Sequence, residues 1–180
     1  MMRLAFPAGA RRIALTDADR AIRELTEVLG GLRHDPAGVL EPMAAEVVET
    51  AIEGGAFELA LVALEGADPA VLTLVAMEVP DGWDVTGAEA LRDAMEDVGG
   101  PDVRETRALD TELGPAVLTQ RVPGVEQGRT GERLTLQLQG FLVEPGSNRM
   151  LLLTLAGPSA RGWDVHQRWF TELVASAGQR

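Results

Sequence analysis

"RLTLQLQGFLVEPGSNRMLLLTLAGPSARGWDVHQRWFTELVASAG", Arg133–Gly178, is the stretch whose reading decides the fold. Leu134, Leu136, Leu138 and Leu142 fall on one side of a period-two run, and "RMLLLTLAG" follows "PGSN", where Pro145–Gly146 fits the central positions of a type II turn. The two runs read as an antiparallel hairpin. The period then changes. Val165, Trp169 and Leu173 stand at i, i+4 and i+8 with Phe170 and Val174 beside them, which predicts a helix whose wide apolar face lies across a sheet.

Working outward, "FELALVAL" and "VLTLVAMEV" flank "EGADPA" and are apolar at nearly every position, the pattern of central strands covered on both faces. "DVRETRALD" and "PAVLTQRV" are more polar and are expected toward an edge. Helices are predicted over 86–98 (Ala88, Leu91, Met95, Val98), over 42–53 (Met43, Val47, Val48, Ala51, Ile52) and over 17–31 (Ile22, Leu25, Leu29), the last with Thr16 as its N-cap. "RLAFPAGARRIAL" reads as two short strands around a Pro–Ala–Gly turn. The expected fold is α/β (α+β): a mostly antiparallel sheet packed against helices in a single-domain sandwich. In that reading residues 1–55 supply an N-terminal hairpin and two helices, and residues 56–180 a sheet with two packing helices.

The tetrapeptide "GWDV" occurs twice, at Gly82–Val85 and Gly162–Val165. Each copy follows an apolar strand and opens a helix, so Asp84 and Asp164 are both candidate N-caps, with the tryptophan folding back over the sheet end. A duplicated ligand-clamping corner is the functional reading. A strand-to-helix turn solved twice is the plainer one, and it is preferred.

Composition bounds the partners. The chain has 180 residues and a formal net charge of −12, long enough to bury roughly 70% of its unfolded surface. An acidic surface repels phosphate backbones, so nucleic acid is not an expected partner. With no cysteine, disulfides, thiolate catalysis and cysteine-ligated zinc are excluded. No run approaches the roughly 18–20 apolar residues of a membrane span, and Arg11–Arg12 interrupt the N-terminal apolar run. No membrane partner and a cytoplasmic location are expected.

Groups that could do chemistry are sparse. Ser147, Ser159 and Ser176 lie outside any G-x-S-x-G, and His34 and His166 are the two histidines. His34 reads as a solvated loop residue before Asp35–Pro36. His166 reads as a residue at the rim of the last helix's apolar face, with an acid–base role as the alternative. Glu24/Glu27 and Glu46/Glu49 are i,i+3 carboxylate pairs without the Glu-x-x-His motif of two-metal bundles, and are read as solvated helix faces. "GRTG" at Gly128–Gly131 precedes a strand and not a helix, which makes a poor phosphate cradle. No catalytic residue, metal set or cofactor is expected. On strand 133–143 the second face carries Thr135, Gln137, Gln139, Phe141 and Val143, half polar, suited to a solvated face or a cleft wall with Phe141 as an anchor.

From about Phe57 to Gly178 the order of elements resembles the PsbP-like α/β-sandwich group. Paired apolar strands precede a "VPDGW" corner and a helix, then come further strands, "RMLLLTLAGPS" and a terminal "WFTELVASAG" helix. The resemblance implies an antiparallel sheet backed by helices, in proteins that mostly bind or scaffold without catalysing. The chain departs from the actinobacterial lipoproteins of this kind in lacking a lipid-accepting cysteine, and its two N-terminal helices lie outside the pattern. The expected function is therefore a non-enzymatic protein-interaction or accessory domain, with a homodimer through a sheet face or edge as one form. The alternative is a small-ligand binder or modest enzyme with a cleft near His166, Trp163 and Trp83.

Overall fold

A computed structural model describes residues 4–32, 38–79, 83–99, 102–122, 136–143 and 148–178. The strands are β1 (Ala10–Ala14), β2 (Ala56–Val62), β3 (Ala70–Glu78), β4 (Val103–Thr111), β5 (Gly114–Arg121), β6 (Leu136–Val143) and β7 (Arg149–Gly157). The helices are α1 (Ala18–Leu32), α2 (Leu40–Glu53), α3 (Val85–Gly99) and α4 (Trp163–Ala175). All seven strands form one sheet in the order β1-β2-β3-β7-β6-β5-β4, antiparallel throughout. The expected α+β sandwich is the architecture found. Among the described residues, no helix is long and apolar enough to cross a membrane.

Strand alternation divides the core between two faces. On one face Ala60, Val62, Leu72, Leu74, Leu118, Leu138, Leu142, Leu153 and Leu155 pack beneath α4 and the N-terminal segment. On the other, Ile13, Leu59 and Leu61 meet α1 and α2, while Val117, Phe141 and Met150 meet α3. The result is three layers, with α4 alone on one side and the other three helices opposite. Leu59–Val62 of β2 are covered on both faces, as its nearly continuous apolar run predicts.

Two local expectations are corrected. Residues 4–9 form no strand, and the N-terminal hairpin is replaced by β1 alone, which pairs with β2. The segment 4–9 instead runs beside α4, where Trp169 Nε1 donates to the Ala8 carbonyl at 3.0 Å and Ser176 Oγ to that of Ala5 at 3.2 Å. The cap of α1 is Asp17 and not Thr16: the Arg20 amide donates to Asp17 Oδ1 at 2.9 Å. β4 and β5 are the last two strands on one side of the sheet, toward the edge as expected, with β4 at the edge itself and Ala116–Thr119 of β5 buried. The turn at Pro145–Gly146, the "GRTG" loop, His34, Leu134 and Thr135 lie outside the described residues.

The twin "GWDV" corners use the same letters differently. At the first, Asp84 caps α3, accepting from the Gly87 amide at 2.9 Å. At the second the helix begins two residues earlier in the motif. Gly162 is the N-cap with φ 69°, and Asp164 lies within the first turn, where it pairs with Arg168 at 3.0 Å. The expectation that Asp164 is a cap is corrected. Glycine is required at 162, because a Cβ there would fall 2.4 Å from the Ala67 Cα and the backbone is left-handed.

Candidate functional site

The site begins with how α4 seats itself. Gly140 in β6 gives the helix room, since a Cβ at that position would stand 3.0 Å from Val174 Cγ2 and 3.3 Å from Phe170 Cζ. Gly157 does the same for Trp163, whose Cζ3 would lie 3.2 Å from an added Cβ. Held this close over the middle strands, α4 has the N-terminal segment on one flank and a cleft of about 520 Å³ on the other. Leu118, Leu138 and Phe170 are its apolar residues. Gln120 and Gln167 face each other across it, as do Arg107 and Thr171, while Glu105, Asp164, Arg168 and Glu172 complete the charged rim.

The wall is fixed by its own hydrogen bonds. Gln167 Nε2 donates to Gln120 Oε1 at 2.5 Å, and Arg107 Nη2 donates to Thr171 Oγ1 at 2.7 Å, so the helix is bridged to β5 and to β4. Thr171 in turn donates to the Gln167 carbonyl at 2.8 Å, which fixes the hydroxyl that Arg107 meets. The carboxamide oxygen of Gln167, the amide nitrogen of Gln120 and the Glu105 carboxylate make no hydrogen bond or ion pair among the described residues. These are free donors and acceptors beside an apolar patch, an arrangement that orients a bound group.

Of Trp83, Gln137, Phe141, Trp163, His166 and Gln139, the last alone lines this cleft. Phe141 is 4% exposed and packs with Val79, Ala88 and Met150 beneath α3. Its place as an open anchor is corrected: the polar glutamines beside it suggested a bare face, but α3 covers that end of β6. Gln137 is half-buried, opposite Arg121 in β5. His166 is 1% exposed, not at the rim, and its Nε2 donates to the Asp68 carbonyl at 2.8 Å. The apolar stripe of α4 is therefore Trp163, His166, Trp169/Phe170 and Leu173/Val174, with Val165 beside it and not in it.

Trp163 is buried under α4 with its ring 5.7 Å from that of His166. Trp83 lies on the opposite face and at the opposite sheet end, donating from Nε1 to the Pro115 carbonyl at 3.1 Å. The cleft expected among His166, Trp163 and Trp83 is thus not formed. Among the described residues, no cluster of three or more histidine, aspartate or glutamate side chains could hold a metal ion.

Arg107, Gln120, Gln167 and Thr171 were missed by the sequence reading. Period two does put Gln120 on the Leu118 side of its strand, and Gln167 and Thr171 are four apart on one helix flank. What the periods do not give is the face on which α4 settles, or the neighbour of β5.

No family model matches the chain, and no curated protein matches it. Among solved structures the fold is similar to the solution structure of cyanobacterial PsbP (CyanoP) from Synechocystis sp. PCC 6803. The TM-score is 0.46 and the sequence identity 10%, over 98% of this chain and 85% of that one.

Proposed function

We propose that the chain is a non-enzymatic interaction or accessory domain of the cytoplasm that binds a protein partner along the flank of α4. The observation that carries this is the build of the cleft: apolar Leu118, Leu138 and Phe170 inside a polar rim that is already hydrogen-bonded. An apolar centre within a polar rim is the anatomy of a recognition surface. Side chains ordered before association lose less entropy on binding, so the surface is prepared for a partner. The one described histidine has its Nε2 committed to the β2–β3 connection and lines no part of the cleft, which supports binding over acid–base work.

Partner capture from lysate tests the reading. Wild type and Glu49→Arg, on the exposed side of α2, are expected to retain the same protein, and Arg168→Glu, at the cleft rim, to lose it. Equal retention by all three would place the contact elsewhere. Self-association is checked by light scattering. A monomeric mass across micromolar concentrations would remove the homodimer form of this proposal.

A small polar ligand is the second reading, favoured by the cleft volume, which falls within the roughly 300–1,000 Å³ usual for such sites. A thermal-shift series with small zwitterionic and carboxylate compounds would reveal it as stabilisation that Arg107→Ala removes.

A further inference from the structure

β4 ends the strand order, so one of its edges is unpaired by any described strand, and the cleft opens along the same strand. Beyond a register shift between Val103 and Glu105, its ladder with β5 runs regularly to Thr111. That leaves a seven-residue edge, Glu105–Thr111, on which backbone N–H and C=O groups point outward at alternate positions. Free edges are commonly guarded by charge, and this one carries Glu105, Arg107 and Asp110. None of the three forms an ion pair among the described residues. A guarded edge refuses strands of the wrong charge and accepts one whose charges are opposite.

We propose that β4 takes an extended segment of a partner protein as an added antiparallel strand, chosen by its charge order. This rests on the interaction reading and names the chemistry of its partner. Glu105, Arg107 and Leu109 share the α4 side, as the contacts of Arg107 with Thr171 and of Leu109 with the core beneath α4 establish. The added strand presents to them a basic, an acidic and an apolar residue. On the other side, Asp110 takes a second basic residue. Every pairing in the sheet is antiparallel, so the segment reads, from its N-terminus, basic, apolar, any, acidic, any, basic. Its net positive charge also suits a chain of net charge −12. Main-chain bonds to the edge supply affinity, and the alternate side chains leaning over Glu105 and Arg107 toward the cleft supply the choice of partner.

The test uses two synthetic peptides on the full chain, read by fluorescence anisotropy at low and high salt. One is acetyl-Thr-Lys-Leu-Thr-Glu-Thr-Lys-Thr-amide, and the other exchanges its lysines and glutamate. The first is expected to bind about tenfold more tightly, from two or three cross-strand charge pairs turned from attractive to repulsive. The double variant E105R/R107E is expected to narrow or reverse that preference while melting like the wild type. Equal binding of both peptides, or a preference untouched by the double variant, would overturn the charge code. Binding of neither peptide would overturn strand addition itself. A concentration-dependent dimer that the first peptide does not dissociate would assign the edge to a second copy and overturn it likewise. The lysate experiment with Arg168→Glu judges the interaction reading separately, because Arg168 is on α4 and not on the edge.

Discussion

Gly140 and Phe141 are neighbours on β6 and serve opposite faces of the sheet. The first is empty space that α4 fills, the second a large ring that α3 covers. A sequence shows both residues and the alternation that separates them, yet the ring next to Gln139 on its face reads as bare because the covering helix comes from another part of the chain. Phe141→Ala is expected to cost about 3–5 kcal/mol in denaturant unfolding. Phe141→Glu, which buries an unpaired charge, is expected not to fold at all. His166 carries the same lesson, since it reads as a residue at the rim of the helix's apolar face and is 1% exposed. Its bond to the Asp68 carbonyl ties α4 to the β2–β3 connection. His166→Ala removes the ring and orphans that carbonyl, so a loss of about 2–4 kcal/mol in denaturant unfolding is expected. A change below about 0.5 kcal/mol would mean that the contact stabilises little.

At the level of elements, the two "GWDV" turns provide an internal comparison. Asp84 accepts a backbone amide at the start of α3, whereas Asp164 meets only a side chain, in an exposed pair with Arg168. Asp84→Ala is expected to destabilise by about 1 kcal/mol, and Asp164→Ala by no more than about 0.5 kcal/mol. Equal losses in thermal melts would contradict the difference in helix start. Gly162→Ala is expected to be more damaging than either aspartate change, because both its φ of 69° and the nearby Ala67 oppose a side chain. Helices α1 and α2 and the β6–β7 hairpin were legible because each is a local pattern: period, breaker, turn. The cap of α1 shifted by one residue, from Thr16 to Asp17, as two good capping residues side by side leave the choice to geometry.

Across the whole molecule, layer order and site were the parts least visible beforehand. Apolar runs in β2 and β3 announce that both faces are covered, but they do not say that α4 takes one face while α1, α2 and α3 take the other. The cleft follows from that asymmetry. It forms between α4 and strands β4, β5 and β6, from residues that are unremarkable in sequence until Gln120 meets Gln167 and Arg107 meets Thr171. The measurement that tests the central claim most directly is site-specific photo-crosslinking in native lysate, with the reactive residue at position 168 beside the cleft or at position 49 on α2. The interaction account predicts a discrete adduct from 168 and none of that mass from 49. The same adduct from both positions, or none from 168, would contradict a partner seated on the flank of α4.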